Sequence, residues 1–169
     1  MMAQKKFWRF FDALTNFLAF LAGILLLLVT LFVSYSVTVR YLNFKPPVWV
    51  LQFTEYALLW VTFLGAAWLL RLGGHIRIDT LVSQLSPGIR KCLDIIVGIL
   101  GCLVCIVIVW FGTQKNVELF QKGIMDVKGV TVPKYPFFFI IPFGSFMLLV
   151  QFIRNLFTRA EGMGPEEEK

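Results

Sequence analysis

Cys102 and Cys105 stand three positions apart in Cys102-Leu-Val-Cys105, the spacing of a thiol pair that can cycle between dithiol and disulfide. They lie in an apolar run, where a thiolate is badly solvated, and Cys92 is the only other cysteine, so no second pair exists to relay electrons. Gly98 and Gly101 precede the two thiols by four residues each, which is small-xxx-small spacing for close helix approach. Packing is therefore the preferred reading and a membrane thiol redox protein the alternative.

Glu55 is the one acid inside an apolar run, about two turns from its end. An ionisable group costs up to ~2.5–3.5 kcal/mol at the bilayer centre and less near its edge, so it usually has a partner or a function. It is read as a polar lock, paired with Arg40 at the same membrane face or with a partner subunit. The sharper reading is an autonomous small four-helix transporter that uses Glu55 as a proton or cation site. That needs other polar groups to converge on the carboxylate. His75 is the single histidine and Asp79 the one nearby acid, too few ligands for zinc. With Arg77 they read as a hydrogen-bonded corner where the second helix ends at Gly73-Gly74. No phosphate loop, dinucleotide glycine motif or serine nucleophile with a base occurs. No catalytic, cofactor or metal residue is assigned, and the chain is not read as an enzyme.

The elements that position these residues follow from charge. Uncharged runs extend from Ala13 to Val39, from Val48 to Leu70 apart from Glu55, from Ile95 to Gln114, and from Tyr135 to Ile153. Each can cross ~30 Å of hydrocarbon at ~1.5 Å per residue, and a backbone in lipid must satisfy its own polar groups, so each is a helix. The fold class is an all-α integral membrane protein. It is one domain over residues 1–169, with spans at about 14–39, 48–70, 92–114 and 135–154, short interfacial helices, and an acidic, disordered tail at 160–169. With 58% hydrophobic residues, no separate water-soluble domain is expected. The first span is too long for a signal-peptide core and is read as retained.

Ten basic residues fall on the side of the two termini and six on the other. Both termini are accordingly predicted in the cytoplasm. The net charge of +6 is split between two membrane faces and suits anionic lipid rather than nucleic acid. Lys5 to Asp12, mixed basic and aromatic, is expected to lie in the interface before turning into the first span. Pro46 and Pro47 separate the first two helices, and Trp49 suits the headgroup belt. Leu81, Val82 and Leu85 have helical spacing in the inner loop, and Ser86-Pro87 should open the third helix. Gly123 is placed at the end of an extension of that helix, and Val130 to Val132 is read as extended before Pro133.

The succession Arg40-Tyr41, Trp49, Glu55, Tyr56, Trp60, Phe63-Leu64-Gly65-Ala66-Ala67, Arg71 and Gly74-His75-Ile76 to Asp79 resembles the small membrane subunit (DctQ-like) of tripartite ATP-independent periplasmic (TRAP) transporters. Pro133 to Gly144, with Ile141-Pro142-Phe143-Gly144 opening the last span, is similar to the same family. The likeness covers nearly the whole chain, with the distinctive motifs in the first half. It implies a multi-pass protein of the bacterial inner membrane, a non-catalytic scaffold bound to a large multi-span subunit and working with a periplasmic solute-binding protein. It implies import of an organic acid such as a dicarboxylate or sialic acid, with sodium coupling in the large subunit and no cofactor here. Arg40, Trp49, Glu55, Trp60, Gly65, Arg71, His75 and Asp79 are then the structural or subunit-interface candidates. Ala19 with Gly23, Thr30 with Ser34, and Gly65 with Ala66 mark further close approaches of helices.

Overall fold

The computed structural model describes residues 2–45, 47–72 and 87–160. The first helix, α1 (Met2–Tyr41), is unbroken over 40 residues, ~60 Å at ~1.5 Å per residue. The expected turn between an interfacial Lys5–Asp12 segment and the span is therefore absent. No proline or glycine precedes Gly23 to break the helix, and Asp12 is tied to the bundle by ion pairs described below. α1 closes with Asn43 in the left-handed region (φ 59°), where the Asn43 N–H donates to Arg40 O and the Phe44 N–H to Val39 O. That double closure satisfies two carbonyls that the helix would otherwise leave orphaned.

α2 (Trp49–Arg71) starts where the Val50 N–H donates to Pro47 O. α3 (Pro87–Gln121) opens at Pro87, where a missing N–H costs nothing. It ends in the same double closure as α1: Gly123 takes φ 56°, its N–H reaches Phe120 O, and the Ile124 N–H reaches Leu119 O. A two-stranded antiparallel ribbon follows, β1 (Met125–Asp126) on β2 (Val132–Pro133), in register Met125 to Pro133 and Asp126 to Val132. A four-residue helix, α4 (Tyr135–Phe138), leads into α5 (Ile140–Ala160). Four of these helices are long and apolar enough to cross a membrane, over Trp8–Tyr41, Trp49–Arg71, Ile95–Gln121 and Tyr135–Phe157.

The principal contacts run α1 on α2, α2 on α5 and α5 on α3, so the four spans form a row. α5 is the most buried span and α3 the least. Three small cores hold the row. Ala22 of α1, Leu64 of α2 and Ile140 of α5 form one, and Phe11, Ala67 and Met147 of the same helices form a second. Leu70, Cys105 and Phe152 join α2, α3 and α5 in the third. Large apolar side chains such as Leu27, Leu31, Leu103 and Phe111 stay exposed along the outer helices, as a lipid-facing surface requires.

Glycine sets the spacing. A Cβ on Gly144 of α5 would lie 2.6 Å from Phe63 Cβ and 2.9 Å from Phe63 O of α2. On α3, a Cβ on Gly98 would meet Leu156 at 2.6 Å and one on Gly101 would meet Phe152 at 2.5 Å. The small residues before Cys102 and Cys105 therefore admit α5, and Cys105 is buried against Leu70 and Phe152 as a free thiol.

Candidate functional site

Two polar clusters staple the row, one at each end. The ribbon end carries the ribbon, the C-terminus of α1 and the start of α2. There Gln52, Tyr56 and Trp60 fall at i, i+4 and i+8 on one stripe of α2. All three hold the segment between α3 and α5. Buried Gln52 donates through Nε2 to Asp126 Oδ2 (3.1 Å) and Val130 O (3.1 Å), and its Oε1 accepts from the Val130 N–H (2.9 Å). The Tyr56 hydroxyl donates to Asp126 Oδ2 at 2.6 Å, while its ring stacks on Phe137 at 4.2 Å. Trp60 Nε1 donates to Phe137 O at 3.1 Å. Lys134 completes the shell of Asp126 at 3.4 Å.

The Tyr56 hydroxyl, and behind it Gln52 and Lys134, hold the Asp126 carboxyl below its ordinary value against the burial that would raise it. One residue before Tyr56 on α2, Glu55 accepts from Lys128 Nζ at 2.5 Å, a bond that raises the Lys128 pKa. Gly129 lets the ribbon tip reach the start of α2, since a Cβ there would lie 3.0 Å from both C and O of Val48.

The opposite, terminal end has the start of α1 and the end of α5. Asp12 of α1 accepts from Arg154 Nη1 of α5 at 2.5 Å and lies 3.6 Å from Arg71 Nε of α2. Arg71 Nη1 also donates to Asn16 Oδ1 at 3.0 Å and to Asp12 O at 3.3 Å. The Arg154 guanidinium sits 4.9 Å from the centre of the Trp8 ring, a cation–π contact. One carboxylate thus joins three helices.

The predicted residues divide accordingly. Glu55 takes Lys128 and not Arg40, which is exposed at the end of α1; the partner comes from a ribbon that folds back over α2, 73 residues later in sequence. Trp49 is exposed and packs edge-on against Phe32 of α1 at 5.5 Å. Trp60 and Arg71 each hold a neighbouring element, as above. Gly65 faces open space and lines a groove of about 410 Å³ between α1 and α2, with Gly23 and Ala19. His75 and Asp79, the Gly73-Gly74 corner and the Leu81–Leu85 segment lie outside the described residues. Sequence reasoning missed Gln52, Asp126, Lys128 and Gly129 at one end and Asp12 with Arg154 at the other. Gln52 carried a readable signal, a polar side chain on the Tyr56–Trp60 stripe; Asp126 carried only its isolation among basic residues.

A chain of apolar spans whose described ion pairs all sit at the two ends is built to hold a shape in a bilayer. The family model described as "Tripartite ATP-independent periplasmic transporters, DctQ component" matches residues 29–162, which takes in the C-terminal third of α1, the other spans and the ribbon cluster. The chain belongs to the DctQ family. It is a multi-pass protein of the inner membrane. It is 25% identical over 130 residues to the C4-dicarboxylate TRAP transporter small permease protein DctQ of Pseudomonas aeruginosa, covering 71% of this chain and 60% of that one. It is 27% identical over 104 residues to the ectoine TRAP transporter small permease protein TeaB of Halomonas elongata, covering 61% and 51%. The chain thus spans between half and three fifths of the curated relatives it matches.

Proposed function

We propose that the chain is the small, non-catalytic permease subunit of a TRAP transporter, a membrane scaffold bound along its side to a large multi-span subunit. That subunit carries the substrate and sodium sites and imports an organic acid delivered by a periplasmic solute-binding protein. The observation that carries this reading is the DctQ-family match over residues 29–162, the end of the first span and the whole of the other three. The row of helices supports it, because an open row gives a wide apolar edge to a neighbour, and none of the described ion pairs meets midway along the spans. The excess of basic residues on the terminal side orients that end to the cytoplasm and the ribbon to the periplasm.

Copurification and vesicle uptake test it. The tagged chain should bring down a much larger membrane protein and move no solute alone, and only the assembled complex should respond to a sodium gradient. Glu55, as an anchor for the ribbon, should tolerate Glu55→Gln with unchanged sodium dependence in whatever complex assembles. Uptake by the purified chain alone, lost in Glu55→Gln, would establish the autonomous transporter instead.

A further inference from the structure

A second groove, about 640 Å³, runs along α3 from Ile106 to Gln121 with Phe146 and Leu149 of α5 as its wall. At ~1.5 Å per residue those fifteen steps cover ~22 Å, from mid-span to the ribbon end. Its polarity changes along that length. Ile106, Trp110, Phe146 and Leu149 line the deep part, whereas Glu118 and Gln121 stand at the mouth.

Glu118 is the one charged residue in the lining, and the two lysines that flank it make the charge beside the mouth net positive. The Glu118 carboxylate is shared by Lys115 at 2.8 Å and Lys122 at 2.6 Å, both more than half exposed. Two cations flank one anion, and each ammonium spends one of its three N–H donors on Glu118. A phosphate is the complementary group. Hydrocarbon-lined below and charged at the mouth, the groove has the polarity profile of a lipid standing in one leaflet.

We propose that this groove retains one anionic glycerophospholipid of the ribbon-end leaflet, an acyl chain lying between α3 and α5 and the phosphodiester held by Lys115 and Lys122. The site is independent of the transport reading, since it is built wholly within this chain. Its chemistry is a phosphate over a positive mouth with a hydrocarbon chain beneath, and it selects headgroup charge at the top and fills space below.

The test is native mass spectrometry of the full chain released from nanodiscs of mixed phosphatidylglycerol and phosphatidylcholine. The wild type should keep one phosphatidylglycerol after other lipids have been stripped. Its preference over phosphatidylcholine should fall about fivefold for each of Lys115→Gln and Lys122→Gln, the effect of one basic residue at a membrane surface. Val117→Trp, placed on the groove wall where the side chain is exposed, should lose both lipids while remaining monodisperse and helical. Equal retention of the two lipids by the wild type, or unchanged retention in Val117→Trp, would overturn the proposal. So would a Trp110→Cys cross-link to another membrane protein in the assembled complex in place of lipid protection.

Discussion

Glycine-to-alanine substitutions at five positions should rank in an order set by what the new methyl group meets. At Gly144 it would lie 2.6 Å from Phe63 Cβ, 2.9 Å from Phe63 O and 3.1 Å from Phe63 C. Carbon atoms pack at ~3.5–4.0 Å, so α2 and α5 must part locally by about 1 Å. Two of the three obstacles are backbone and cannot swing aside. The cost should therefore reach the upper part of the ~1–3 kcal/mol range for overpacking. At Gly101 the obstacle is the ring of Phe152, itself buried among Leu70 and Cys105, and the cost should be intermediate. At Gly98 the contact is the Leu156 side chain alone, half-buried, which can give way by moving off its rotamer at a cost of ~0.5–1.5 kcal/mol. At Gly23 and Gly65 nothing lies within 4 Å, and alanine should stabilise the isolated chain by up to ~1 kcal/mol through helix propensity. Equilibrium unfolding by sodium dodecyl sulfate in mixed micelles, followed by helical circular dichroism, reads the series. If Gly144→Ala matches Gly65→Ala, the α2–α5 approach is wrong. If Gly23→Ala and Gly65→Ala are stable alone but lose copurification of the large protein, a partner covers the groove between α1 and α2.

The two buried glutamines should behave oppositely. Gln52→Leu strips two hydrogen bonds from Val130 and should cost ~1–3 kcal/mol, whereas Gln151 has a buried Oε1 with no partner, so Gln151→Leu should be neutral or stabilising in the same unfolding assay. Asp12→Asn should weaken the junction of α1, α2 and α5 by ~1.5–3 kcal/mol, the worth of hydrogen bonds to a charged group, and hydrogen exchange should rise in the first turns of α1. Exchange protection of the ribbon should be flat across neutral pH. The Asp126 carboxyl is lowered, so its contribution is present above the ordinary carboxylate value of ~3.9 and lost as pH falls through the lower folded value. Lys128 is raised, so its contribution is present below ~10.4 and lost as pH rises through its folded value. Loss of ribbon protection between about pH 5 and 9 would contradict both signs.

The spans were legible because lipid leaves one option: an uncharged run of this length must satisfy its backbone as a helix. Gly98 and Gly101 were legible as a packing edge for the same reason, since small residues at fixed helical spacing have few other uses in a membrane. The partner of Glu55 was not. Lys128 sits in a connection whose strands have two residues each, too short for a period, and its return over α2 depends on Gly129 fitting against Val48. Arg40 looked suitable because it shares the membrane face, but a face holds several cations and sequence does not order them. The row was also hidden. Beyond its polar first turns, α2 is apolar all round, as a helix flanked by two others and by lipid must be, so no apolar face announces which helices flank it.

In lipid, the hydrophobic effect gives helices no reason to prefer one another over acyl chains, so a row in which each outer span has one main neighbour must be held by other means. Close approach at Gly98, Gly101 and Gly144 supplies dispersion, but such contacts resist sliding along the groove only weakly. The polar staples supply register. Asp12 fixes α1, α2 and α5 at one end, and the Gln52–Tyr56–Trp60 stripe fixes α2 to the ribbon and α4 at the other. Two anchors at opposite ends of α2 set its tilt against both neighbours. The largest fully buried side chains of the described residues, Gln151, Thr15 and Ser145, are polar as well. The Thr15 hydroxyl donates to Phe11 O within its own turn and Gln151 Nε2 donates to Asn155 Oδ1, so both spend their donors within their own helices, while Gln151 Oε1 is left without a partner. A part built this way keeps its shape without a central core, and its stiffness lies in the stripe on α2.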